Sequence, residues 1–311
     1  MNTNAKHLLD YLKLASPVIK SNPVVPILEN FLLKSVDGKL QVIASNMNDV
    51  IIVKTDIEFN KNICVPAELF TKLLQGIGDK PITLDINEET FAVTVKSGKS
   101  KSKMSGENWK DFPVISSQLD NAKSIEVEYS LLETMNTMAS FCGNDEFRVA
   151  MTGINFAIQG GKLELCATDG HRLLVENPQY EFETEDFSCL IPSRITKALV
   201  SSFKNRSVTI TASNMNISFD SDVVTIISRL IDGRYPDYRN VIPKENDKVA
   251  TLINGELSSA LSRVMLFANK TTHQVRLSFK ENELLISAED LDYSNESSET
   301  VDLIGYDGEP L

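Results

Sequence analysis

The sequence predicts an α+β fold built from copies of a strand–helix–three-strand unit, and three observations carry that reading. A pattern returns three times at intervals of about 122 residues, and a fixed long period means that one supersecondary unit has been copied along the chain. It begins at Pro26 (PILENFLLKSVDGKLQVIASNMNDVIIV), at Met151 (MTGINFAIQGGKLELCATDGHRLLVE) and at His273 (HQVRLSFKENELLISAEDLDYSNESS). A second pattern, from Ile63 and again from Cys189, reads strand, proline, amphipathic helix, polar turn, strand. Finally, the apolar periods separate the element types. Leu8, Leu9, Leu12 and Ile19 recur at helical spacing, whereas Ile82, Leu84 and Ile86, and then Val208 and Ile210, alternate at period two.

Laid end to end, these signals give half-units at about 1–61, 62–122, 123–186, 187–249 and 250–311. Pairing them predicts three domains, 1–122, 123–249 and 250–311, the last holding only a first half. Proline at the start of the second and fourth helices suits a first helical turn. A half-unit without its pair leaves a sheet edge and a helix layer uncovered, so the fifth is expected to be less stable than the others.

With 42% hydrophobic and 24% charged residues over 311 positions, the chain has enough apolar material for two or three packed domains. No run approaches the 18 or so apolar residues of a membrane span, and Met1 to Tyr11 lacks the apolar core of a signal peptide. A cytoplasmic location without membrane contact is therefore expected. Cys64, Cys142, Cys166 and Cys189 show no CxxC spacing, and His7, His171 and His273 have no ligand spacing, so buried thiols and no metal are expected.

A net charge of −12 argues against a generally basic nucleic-acid surface, but the charges are unevenly placed. The fourth helix, Pro192 to Arg206, carries Arg194, Lys197, Lys204 and Arg206 with no acid, and the first carries Lys6, Lys13 and Lys20 against Asp10. The acids gather in later strands and turns, such as Glu181 to Asp186 and Glu289 to Glu299. Basic helices on an acidic body can face a polyanion, and they can equally be solvated faces.

The turn Thr168-Asp169-Gly170-His171-Arg172-Leu173 places Asp, His and Arg together, which invites a hydrolase reading through Asp169 and His171. Asp-Gly is foremost a turn signal, and neighbouring strand residues face opposite ways. No nucleophile elbow, Walker loop, dinucleotide fingerprint or HExxH occurs, so a non-enzyme is expected. The segment Arg229 to Tyr238 and its echo Ser105 to Pro113 read as aromatic connectors between domains.

TDGHRL at 168–173, RLIDGRYPDYRNVIP at 229–243, VPAELF at 65–70 and NPVVPILENFLL at 22–33 together resemble the bacterial β sliding clamp family, the processivity subunit of DNA polymerase III. The likeness runs through the whole chain in order. It implies a DNA-clamp fold in which three domains form a crescent and two crescents join head to tail around duplex DNA. Helices line the hole and antiparallel sheets lie outside. It also implies a nucleoid-associated homodimer that uses no cofactor, holds DNA without reading sequence, and docks DNA polymerase III and the clamp loader through linear peptide motifs.

By the same resemblance, the peptide groove maps to Met151, Thr168, Gly170, His171, Arg172, Leu173, Pro236 and Val241, with Thr168 and the turn backbone supplying hydrogen bonds. Channel contacts to phosphates map to Lys13, Lys20, Lys72, Arg148, Arg194, Lys197 and Lys204. The seam combines Leu73, Leu266 and Phe267 with a basic edge strand, Lys96 to Lys103, bearing Lys99, Lys101 and Lys103; Asp292, Glu296 and Glu299 oppose it. Read without the family, Lys96 to Lys103 is a charge-protected edge.

Three departures stand out. Asn240 replaces a basic residue of some members, and Asn22 an arginine of many, with Lys20 as a substitute. A sixth half-unit, which closes the groove in the family, does not follow, so persistent dimerisation with weakened peptide affinity is expected. The alternative is a clamp-derived interaction module that binds partner peptides without closing around DNA.

Overall fold

The computed structural model describes residues 1–113, 122–280 and 282–307. Its first half-unit comprises β1 (Asn2–Asn4), α1 (Ala5–Ala15), β2 (Asn30–Val36), β3 (Lys39–Ser45) and β4 (Asp49–Glu58). The second comprises β5 (Ile63–Pro66), α2 (Ala67–Ile77), β6 (Pro81–Asn87), β7 (Ala92–Ser97) and β8 (Ser100–Ser105). The third has β9 (Lys123–Val127), α3 (Tyr129–Met138), β10 (Gly153–Gln159), β11 (Lys162–Thr168) and β12 (Leu173–Glu176). In the fourth are β13 (Phe187–Pro192), α4 (Thr196–Ser202), β14 (Val208–Ala212), β15 (Asn216–Asp220) and β16 (Val224–Arg229). The fifth holds β17 (Val249–Thr251), α5 (Asn254–Val264), β18 (Arg276–Phe279), β19 (Glu283–Asp290) and β20 (Asn295–Asp302), with β21 (Gly305–Asp307) after it. Each half-unit thus has the strand–helix–three-strand order that the periodicity predicts.

The chain divides into two compact units, Met1–Pro236 and Asp237–Leu311. Within the first, paired half-units exchange their opening strands. β1 joins the sheet β1-β6-β7-β8, while β5 joins β2-β3-β4; β13 and β9 make the same exchange in β12-β11-β10-β13 and β16-β15-β14-β9. Antiparallel pairing of β4 with β16, from Val53↔Val224 to Asp49↔Ser228, then fuses two of these sheets into one of eight strands. The first domain limit expected from sequence, 122/123, adjoins residues 114–121, which lie outside the described residues.

Helix α1 begins where the Asn4 side chain accepts from the Lys6 and His7 amides, and it buries Leu8, Leu9 and Leu12. Burial of each leucine contributes about 2 kcal/mol. Helix α1 packs on α2 and α4, and α4 packs on α3, so the four helices form one layer against the sheets. A continuous core of buried residues fills the space between, including Phe31, Phe70, Phe156, Phe203 and Phe219. A smaller cluster of Leu32, Ile43, Val50 and Phe112, with Trp109 packed against it, shows that the connector at 105–113 covers its own domain's sheet. Gly106 sits where an added Cβ would lie 2.5 Å from the Cys64 carbonyl oxygen, so only glycine fits beneath this connector.

Three sequence expectations change here. Ile19 lies beyond α1, in extended backbone after a 3-10 turn at Ser16–Val18, because Pro17 ends the regular α-helical hydrogen bonding. The fourth helix is α-helical only from Thr196 to Ser202, preceded by a 3-10 turn at Ser193–Ile195. Lys96 to Lys103 is a hairpin rather than one strand: Ser97 pairs with Ser100 around Gly98 and Lys99, with φ +54° at Gly98.

The second unit packs α5 on the sheet β18-β19-β20, burying Ala260, Val264, Leu284, Ile286 and Val301. A separate two-stranded pairing joins β17 to β21.

Candidate functional site

The 168–172 turn joins β11 to β12 and is held almost wholly by its own side chains. The Thr168 hydroxyl donates to the Arg172 carbonyl oxygen at 2.7 Å and accepts from the Gly170 amide at 3.0 Å. Its proton is therefore engaged within the turn, and any further hydrogen bond it makes can only be as an acceptor. Asp169 accepts from the amides of Arg172 (2.7 Å) and His171 (2.9 Å), and from Arg172 Nε at 3.0 Å and Nη2 at 2.9 Å. Those backbone donors, then the guanidinium, hold its carboxyl well below the usual carboxylate range.

The hydrolase reading fails on this geometry. Asp169 meets His171 through the backbone amide, and its carboxylate is committed to Arg172, so no carboxylate–imidazole relay is formed. Because the folded-state pKa is depressed, the turn's contribution to stability is complete above about pH 4, the unfolded value, and fades as pH falls through the folded value. NMR titration of the Asp169 carboxyl is expected to show it still ionised at about pH 3, where an unperturbed aspartic acid is mostly protonated; a midpoint near 4 would refute the clamped turn.

Around the turn, the Met151 carbonyl oxygen accepts from the Gly143 amide at 2.9 Å. Arg148 Nη1 lies 2.8 Å from the position of a Cβ added at Gly170, whose φ is +89°. Arg172 also donates to the Ser140 carbonyl oxygen at 3.0 Å and stacks over Phe141 at 5.3 Å. Met151 and Leu173 are half-buried, and His171 and Arg172 are exposed. The structure thus gathers Thr168 to Leu173 and Met151, and it adds Arg148, which the sequence reading assigned to the channel. Beneath them, burial beside Cys166 raises the Tyr235 hydroxyl far above its ordinary range, and Pro236 is half-buried next in sequence. Val241, in the second unit, is exposed.

The other channel candidates fall into three groups. Lys20, Lys197 and Lys204 are exposed and have no ion-pair partner among the described residues. Lys13 lies 3.8 Å from Asp10 and Lys72 pairs with Glu68, both exposed surface contacts that water and salt screen. Arg148 bonds Asp145 through Nε at 2.8 Å. Arg194 differs, because it forks onto Asp49, with Nε to Oδ2 at 3.0 Å and Nη2 to Oδ1 at 3.1 Å. The Asp49 side chain is only 3% exposed. Sequence reasoning missed Asp49, since an acid after Asn-Met-Asn reads as an ordinary turn residue.

Among the seam candidates, Lys101 and Lys103 lie on β8, the edge of its four-stranded sheet, with Lys99 in the hairpin turn. Leu73 is half-buried on α2. In the second unit, β20 is an edge strand and carries Glu296. Leu266 is 81% exposed and Phe267 41%. Asp292 accepts from Asn269 at 3.3 Å. Glu299 is held by Arg263, through Nε at 2.9 Å and a second bond from Nη2, so its charge is balanced inside the unit.

Three family models match in sequence order. The N-terminal, central and C-terminal domains of the DNA polymerase III beta subunit match residues 1–116, 127–237 and 239–311. The chain belongs to the DNA polymerase III beta subunit family. Similar beta subunits include the beta sliding clamp of Haemophilus influenzae, 28% identical over 314 residues, covering 98% of this chain and 84% of that protein. That of Escherichia coli K12 is 28% identical over 295 residues, covering 91% and 78%. Among solved structures, a beta chain from Streptococcus pneumoniae superposes with a TM-score of 0.92 at 23% identity, covering 100% of this chain and 85% of that one. The Pseudomonas aeruginosa sliding clamp bound to griselimycin gives 0.90 at 23%, with the same coverage. The beta subunit fold is therefore common to chains whose residues have largely diverged.

Proposed function

We propose that the chain acts as a DNA sliding clamp, in which two copies close head to tail into a ring around duplex DNA. The observation that carries this reading is the succession, in order, of three beta subunit domain matches along one chain. The domains run 1–122, 123–249 and 250–311. The protein is a tether and not a catalyst: retention comes from encirclement, so DNA contacts stay weak and salt-sensitive. Lys20, Lys197 and Lys204 make them, supported by Lys13 and Lys72, through phosphates and without reading bases.

The turn at 168–173, with Met151 and Pro236, docks a linear peptide of DNA polymerase III or of the clamp loader. Apolar side chains hold the anchors while the rigid turn presents backbone groups. At the seam, β8 of one copy, with Lys99, Lys101 and Lys103, adjoins β20 of the other, with Asp292 and Glu296, and Leu73 meets Leu266 and Phe267. Such a subunit resides in the cytoplasm with the nucleoid.

Retention on circular duplex tests encirclement. Protein loaded onto a nicked circle is expected to stay with the DNA through gel filtration and to be lost once the circle is cut, because the linear ends release a ring. Equal retention on cut and uncut DNA would overturn encirclement and favour an open peptide-binding module.

A further inference from the structure

Arg194, Lys197, Ser201 and Lys204 are spaced three, four and three apart, a spacing that puts all four on one stripe of a continuous helix. The structure breaks the stripe at its first member. A 3-10 turn at Ser193–Ile195 precedes α4, and the Arg194 guanidinium turns onto Asp49 at the start of β4. Asp49 is fully engaged there: besides the two arginine bonds, it accepts from Ser228 Oγ at 2.6 Å and Asn46 Nδ2 at 3.1 Å. The network ties elements 145 and 179 residues apart, across the β4–β16 pairing that fuses the sheets. Farther along the same segment, Ser202 Oγ donates to the Leu14 carbonyl oxygen at 3.0 Å, so both ends of α4 are anchored to the first domain. Lys197 and Lys204 remain exposed.

We propose that Asp49 is a positioning residue: it withholds Arg194 from DNA and uses it to join the first two domains, leaving Lys197 and Lys204 as the phosphate contacts of this segment. A planar fork on a buried carboxylate is a stronger, more directional partner than a hydrated phosphate passing through a channel. The arrangement keeps the grip light while fixing the segment that carries it. This inference rests on the clamp reading, which brings DNA to the helix layer.

The test is the salt dependence of full-length protein binding to a short linear duplex, followed by fluorescence anisotropy. Each lost phosphate contact makes the slope of log K against log salt shallower by about 0.9. Lys197→Gln is expected to show that change, and Arg194→Gln to keep the wild-type slope although its melting temperature falls. Asp49→Asn, which retains the shape of the side chain, is expected to steepen the slope by up to about 0.9 as Arg194 rejoins the stripe. A purely structural role for the pair moves the melting temperature and not the slope. A shallower slope in Arg194→Gln, matching that of Lys197→Gln, or an unchanged slope in Asp49→Asn, would overturn the proposal while leaving the clamp reading intact. Unchanged slopes in both Lys197→Gln and Lys204→Gln would instead overturn the placement of DNA at this segment, and the proposal with it.

Discussion

Lys99→Glu combined with Lys101→Glu is expected to convert a salt-sensitive dimer into monomers of 34.6 kDa in sedimentation equilibrium. The reversal changes the charge at one face of the proposed seam by four units and sets carboxylates against Asp292 and Glu296. Like-charge juxtaposition across an interface costs several kcal/mol, so a weakening of about 100-fold is a modest expectation. It will be largest at low ionic strength, since charges farther apart than about 8–10 Å are screened near physiological salt. The hairpin itself should not suffer. Lys101 stands directly across from Lys96, and Lys101→Glu replaces a like-charge cross-strand pair with an attractive one worth a few tenths of a kcal/mol. A monomer would thus report the seam and not a misfolded strand. Restoration of the dimer on mixing with Asp292→Lys/Glu296→Lys protein is the diagnostic result, and an unchanged mass in the reversed variant would refute this seam. Glu299 is left out because Arg263 already neutralises it.

Arg194→Ala is expected to destabilise the Met1–Pro236 unit more than Asp49→Ala does, although the two changes break the same ion pair. The asymmetry follows from burial. The Asp49 side chain is 3% exposed, whereas that of Arg194 is 40% exposed. Loss of arginine strands a carboxylate away from water, with only Ser228 and Asn46 to solvate it. Loss of aspartate leaves a guanidinium that reaches solvent. Removing one partner of a buried pair costs about 3–5 kcal/mol; Arg194→Ala, which strands the buried carboxylate, falls at the lower end, about 3 kcal/mol, and Asp49→Ala, which leaves a guanidinium that reaches solvent, falls below that range, at about 2 kcal/mol. Urea unfolding should show lower midpoints with unchanged slopes, and the double variant, which no longer strands the carboxylate, should lie close to Asp49→Ala instead of at the sum. Equal losses, or additive ones, would contradict the network.

The half-unit architecture was legible because it rests on period and order, which a linear sequence displays directly. Ile82, Leu84 and Ile86 alternate on β6 as read, and each of the five half-units keeps its strand–helix–three-strand order. What stayed hidden depends on partners distant in sequence. Nothing near Arg194 announces Asp49, 145 residues earlier, and nothing near Glu299 announces Arg263 on another element. The charge pattern therefore counted as free several cations that the fold pairs with acids. The closeness of Arg148 to Gly170 was hidden for a similar reason, since only the fold brings the two together. The turn at 168–172 was visible as Asp-Gly chemistry, yet the commitment of the Thr168 proton to the Arg172 carbonyl depends on how the turn closes, which residue order does not display.

The exchange of opening strands also sets a schedule for synthesis. β1 leaves the ribosome roughly 80 residues before its partner β6, and β5 must return to β2 while its own half-unit is incomplete. At translation rates of about 5–20 residues per second, the first strand waits for at least several seconds with its hydrogen-bonding groups unpaired. Within the Met1–Pro236 unit neither half-unit of a pair can finish first, so the smallest piece of that unit able to mature on its own is a reciprocal pair, and any gene rearrangement that keeps its fold must move such pairs together.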